Sequence, residues 1–122
     1  MSVPSSQMKI LTVLGSSDAE HIDERHGPQG SSDSRFDQNF LKKKLGYGAI
    51  AKEVFETGAS SSEYDNSGRL IFRFYKNFNE KAGIGKDAGG SNVLFKGVEM
   101  VGTYGTTVFY VETMFPKGIL KT

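Results

Sequence analysis

Both histidines of the chain lie in one acidic stretch, Asp18-Ala19-Glu20-His21-Ile22-Asp23-Glu24-Arg25-His26. Histidine and carboxylate are metal ligands, and His21 and Asp23 have the spacing that supplies two ligands of a facial iron triad. Such a triad needs a further histidine from a distant strand, and the sequence has none. On a helix His21 and His26 are five positions apart and face different ways, so a zincin-like pair fails as well. A metal-dependent enzyme using His21, Asp23 and His26 is therefore the outermost of three readings. The ordinary reading is a solvated acidic loop, with no metal and no cofactor expected.

Two glycine-bearing stretches imitate ligand loops. Gly83-Ile84-Gly85-Lys86-Asp87-Ala88 spells out a dinucleotide fingerprint, but no helix follows it, and the phosphate-loop pattern fails because position 80 is Glu80. It reads as a flexible connection. Glu63 to Gly68 echoes half of a calcium loop, with Phe74 where the bidentate glutamate belongs. It reads as a hairpin turn. Serine and threonine are plentiful, yet the only bases that could activate them sit in the least apolar part of the chain, so no nucleophile and base are paired. No catalytic residue is assigned.

Two cationic groups remain. Arg69, Arg73 and Tyr75 share one parity of an alternating stretch, and Lys96 extends the set. Together they form the kind of basic and aromatic platform on which single-stranded nucleic acid stacks. The net charge of +1 argues against strong binding to a polyanion. Lys42, Lys43 and Lys44, with Arg35, form a basic patch for an acidic protein partner or, more simply, a helix end that complements its own dipole.

The elements that must position these residues centre on residues 93–115. Two β-rich arms, 93–101 and 106–115, flank Gly102-Thr103-Tyr104-Gly105, which predicts a hairpin loop there. The second arm is apolar on both parities: Phe109, Val111, Thr113 and Phe115 on one, Val108, Tyr110, Glu112 and Met114 on the other. That pattern predicts a strand covered on two sides. Val93 and Phe95 change parity to Val98 and Met100, which predicts a bulge at Gly97. Residues 69–78 give the cleanest alternation, and the short glycine-rich link to the hairpin favours antiparallel pairing over a crossover unit. Residues 8–14 read as a further strand.

The spacing of Phe36, Phe40, Leu41 and Leu45 predicts a helix over 35–45, boxed by Ser34 and Asp37 and closed by Gly46. Residues 49–56 fit either a helix or a strand, with helix favoured. Residues 59–63 fit a loop or frayed edge. Residues 15–34 are polar, acidic and rich in glycine and serine, which predicts a loop that orders only when another chain holds it.

At 122 residues, with 15 glycines and no cysteine, the chain fits one domain with short strands and no disulfide, thiol chemistry or cysteine-zinc site. No secretory signal and no membrane-length apolar run appear. The expected fold is α+β: an antiparallel sheet of about four strands with one or two helices on one face, in residues 35–122, behind a polar segment, 1–34. The expected function is a non-catalytic structural or linker subunit, a virion component or complex-stabilising protein in the cytoplasm or virion. It binds other protein subunits as a homo- or hetero-oligomer through Tyr104, Val108, Tyr110, Met114 and the three lysines. A single-stranded nucleic-acid module is the alternative.

Overall fold

The computed structural model describes residues 11–121. Its elements, in order, are β1 (Leu11–Val13), α1 (Ser16–His26), β2 (Ser34–Phe36), α2 (Gln38–Lys44), α3 (Tyr47–Thr57), β3 (Ala59–Tyr64), β4 (Leu70–Asn77), β5 (Gly83–Lys86), β6 (Asn92–Tyr104) and β7 (Val108–Ile119). The fold is α+β. Six strands, β2 to β7, pair antiparallel, and β1 adds a short parallel pairing on β7. The sheet is thus larger than the four strands expected, and it carries three helices.

The long β6 is the spine. β7 runs beside it from Phe95 opposite Ile119 to Tyr104 opposite Phe109. Along its other side β4 and β5 lie end to end, with Phe72 opposite Gly102, Asn77 opposite Gly97, and then Gly83 opposite Phe95. The antiparallel pairing of residues 69–78 with the hairpin is as expected. β3 borders β4, and β2 borders β5. One core holds this together: Phe36, Phe40, Ile50, Ala51 and Val54 pack with Phe74, Val98, Met100, Phe109, Val111 and Met114. Burial stabilises each of the phenylalanine, isoleucine, valine and methionine side chains by about 1.5–3 kcal/mol relative to exposure.

The hairpin differs from expectation in two places. β6 continues through Tyr104, so the turn falls at residues 105–107, closed by the Gly105 N–H donating to the Val108 carbonyl at 2.7 Å. The bulge is not at Gly97. The register slips between Val101 and Gly102, where Val101 faces Thr113 and Gly102 faces Val111, so Glu112 has no partner on β6. Gly97 serves another purpose: a Cβ there would strike the Tyr75 hydroxyl and ring.

The segment expected to be an unstructured arm folds. Residues 16–26 form α1, whose Ile22 is fully buried in the common core. The Tyr47 hydroxyl donates to Asp23 at 2.6 Å and ties α1 to α3. The composition was a poor guide because one buried isoleucine, one buried histidine and a tertiary hydrogen bond replace the apolar stripe an isolated helix needs. The predicted helix 35–45 also shifts. Arg35 and Phe36 belong to β2, and Asp37 itself caps α2, accepting from the Phe40 N–H at 3.2 Å. Leu45, at φ 66, takes the left-handed closing position in place of Gly46, which caps α3 instead. Residues 49–56 lie inside α3, and residues 59–63 inside β3. Of the strand expected over 8–14, residues 11–13 form β1, and 8–10 lie outside the described residues.

Candidate functional site

β3 ends the sheet. It pairs on one side only, from Ala59 opposite Tyr75 to Tyr64 opposite Leu70, and all six of its residues are exposed. Its other side presents backbone donors and acceptors that, among the described residues, meet no further strand. Its sequence, Ala-Ser-Ser-Ser-Glu-Tyr, has no proline, no lysine and no bulge, the devices that usually blunt such an edge.

Local chemistry fixes both ends of this edge. Gly58 joins α3 to β3 where a Cβ would meet the Val54 carbonyl at 2.5 Å and the Tyr75 carbonyl at 2.8 Å. At the far end, the Asp65 carboxylate accepts from the Ser67 hydroxyl at 2.7 Å, and from the backbone N–H groups of Ser67 and Arg69, both at 2.9 Å. The Ser67 hydroxyl first, then the Arg69 N–H and guanidinium, push this carboxyl down to about 2. The calcium-loop echo is therefore an Asx turn, with Gly68 supplying φ 83.

The sheet face beside β3 carries a ladder of ion pairs. Arg69 bridges Asp65 at 3.1 Å and Glu112 at 3.0 Å. Arg73 joins Glu63 and, at 3.2 Å, Glu99, which Lys117 also approaches at 3.4 Å. Four carboxylates thus stand against three cations, so the face has no positive excess. Tyr75 is half-buried over Gly97 and Gly118, and its hydroxyl donates to the Lys117 carbonyl at 3.2 Å. Burial first, then the charge of Glu99, raise its pKa. Lys96 is half-buried. The arginines and tyrosine are thus on one face, as expected, but their charges and ring are already engaged.

The remaining sequence-selected residues scatter. Met114 is fully buried in the core. Tyr104 belongs to an aromatic cluster, 4.8 Å from Phe72 and 5.0 Å from Phe109 by ring centroids. Tyr110 is 51% exposed, and Val108 is half-buried opposite Leu11 of β1. Lys43 pairs with Glu80 at 2.8 Å, and Lys44 with Glu53 at 3.4 Å, while Lys42 is exposed. His21 is exposed, and the His26 ring is buried against Phe115 with Nδ1 2.7 Å from the Ser34 carbonyl. Among the described residues no group of three or more His, Cys, Asp or Glu is placed to hold a metal. No helix among them is long and apolar enough to cross a membrane.

Sequence reasoning noted 59–63 only as a loop or frayed edge. The signal that could have found it was the run of small, uncharged residues between a helix-closing glycine and a strong turn. No protein-family model matches the chain, no curated protein matches it, and no solved structure matches it.

Proposed function

We propose that this protein is a non-catalytic structural subunit that joins other chains by strand addition at β3. The observation that carries this reading is the six-residue edge, exposed throughout and without proline, lysine or bulge. Backbone hydrogen bonds supply the affinity in this mode of recognition. The partner that fits first is a second copy. In an antiparallel pairing about a two-fold axis at Ser61 or Ser62, Glu63 meets Ala59 or Ser61 of the copy and never the copy's Glu63. The single charge of the strand therefore does not oppose itself. The small serines let the backbones approach.

The premises that first suggested assembly do not contribute. β7 turns Phe109, Val111 and Met114 into its own core, and α1 packs Ile22 there. The nucleic-acid reading has less support, since carboxylates neutralise Arg69 and Arg73.

Sedimentation of the purified chain over a concentration series tests the proposal, with Ser62→Lys as an edge-blunting variant. A concentration-dependent dimer that Ser62→Lys abolishes, with an unchanged circular dichroism spectrum, is expected. A chain that stays monomeric at every concentration, or a dimer indifferent to the substitution, overturns the assignment to β3.

A further inference from the structure

A second site lies at the opposite end of the sheet. Register places Arg35 on β2 opposite Ile84 on β5, and Ile84 opposite Leu94 on β6. The Leu120 N–H donates to the Leu94 carbonyl at 2.8 Å, which brings Leu120 into the same row. Residues directly opposite one another in antiparallel strands share a face. The row Arg35, Ile84, Leu94, Leu120 is therefore a strip with a guanidinium at one end and apolar side chains along the rest. It lines a groove of about 660 Å³, completed by Val93, Ile119 and Lys121. That volume falls within the range of small-molecule sites, roughly 300–1,000 Å³.

Arg35 is the unusual member. Its Nε is shielded from solvent and has no hydrogen-bond partner among the described residues. No carboxylate of those residues pairs with it, whereas Arg69 and Arg73 each hold two. Arg35 lines the groove without a counter-charge, and a carboxylate, whose two oxygens match the planar fork of a guanidinium, is the group that supplies one. Lys121 adds a second cation at the rim, and no acidic residue lines the groove. Close packing shapes this end: a Cβ on Gly85 would collide with the Asp33 carbonyl, and it would stand 2.9 Å from the Phe95 ring.

We propose that this groove binds a small amphiphile with a carboxylate head on an aliphatic body. The head engages the Arg35 guanidinium, with Lys121 beside it. The body lies along Ile84, Leu94 and Leu120. The site is distinct from β3 and is independent of whether the chain self-associates.

Decanoate and decanol are the probes, titrated into the full chain below their aggregation concentrations and followed by backbone and methyl NMR. Saturable decanoate shifts confined to Ile84, Val93, Leu94, Ile119 and Leu120 are expected. Decanol, lacking the charge, binds about tenfold or more weaker, and Arg35→Gln weakens decanoate by a similar factor. Arg73→Gln leaves decanoate binding unchanged. Lys121→Gln lies at an exposed position that does not threaten the fold, and it lowers decanoate affinity without affecting decanol. Absence of saturable shifts, shifts centred elsewhere, or equal affinity for decanoate and decanol overturns the proposal.

Discussion

Val111 and Met114 lie three positions apart on β7, yet both point into the same core, 1% and 0% exposed. In an unbroken strand they would point to opposite faces. Glu112 resolves the conflict, because it is the residue left without a partner where the register slips. The bulge turns Phe109 and Val111 on one side of it, and Met114 and Pro116 on the other, toward the interior. A strand that is apolar on both parities is in this case buried mainly on one face. Met114→Ala should therefore act on stability and not on association, lowering unfolding free energy by about 2–5 kcal/mol in urea melts. A variant that keeps its midpoint but loses self-association would place Met114 on a surface instead.

Gly102 is the other half of the same device. A Cβ there would collide with the Tyr110 carbonyl, and would lie 2.8 Å from the Phe109 ring. Gly102→Ala must push either the β7 backbone or a core ring aside, at a cost of about 1–3 kcal/mol. Thermal denaturation measures this, and Gly89→Ala, whose Cβ would have ordinary clearance of 3.5 Å, is the control that should not move.

Asp65 holds the turn that delivers β3 to β4. Its carboxyl is depressed, so its contribution is present above the ordinary value of 3.8 and is lost as pH falls through about 2. In Asp65→Ala, the Ser67 and Arg69 amides lose their acceptor. Hydrogen exchange at those two amides should accelerate while the Val54 amide on α3 remains protected. Uniform acceleration across the chain would mean the turn is instead essential for global folding.

His26 gives the fold an acid sensitivity. Burial of its ring lowers its pKa below 6.5, aided by Arg25 and His21 and opposed by the bond to the Ser34 carbonyl. The unfolded chain then binds more protons than the folded one between the lowered value and 6.5. Stability is full above 6.5 and declines as pH falls through that window. Urea midpoints on either side of 6.5 should show this slope, and His26→Gln should flatten it. His21→Gln, at an exposed position, removes only the smallest of the contributions that lower the His26 pKa and should leave most of the slope in place.

The sequence announced the fold where local pattern and tertiary role agree. Leu70 to Asn77 alternates because one side meets the helices and the other carries the ion-pair ladder. Phe40 on α2 and Ile50 and Val54, four apart on α3, meet one core, although the pattern over 49–56 fitted a strand as well as a helix. Where a neighbour's backbone decides, the signal was hidden. Gly83 and Gly85 read as breakers, yet they form β5 because the chain beside them passes too close for a Cβ. α1 was hidden for the converse reason, since its main anchor, Ile22, carries no periodicity alone. The groove at Arg35 depends on a row of residues from four separate segments, and no single stretch of sequence displays it.

Tyr104 and Tyr110 separate packing from exposure on one hairpin. Both were natural choices for a partner-facing surface, since large aromatics dominate protein contacts. Tyr104 is 39% exposed but touches three rings, those of Phe55, Phe72 and Phe109, so its removal disturbs the aromatic cluster above α3. Tyr110 is 51% exposed, and no aromatic partner meets its ring among the described residues. Tyr104→Ala should cost about 1–2 kcal/mol, less than a fully buried ring because part of it already meets water. Tyr110→Ala should change stability by no more than about 0.5 kcal/mol. Chemical denaturation of the two variants decides the matter: a larger loss at Tyr110 would mean that its ring is sheltered by contacts this fold does not provide.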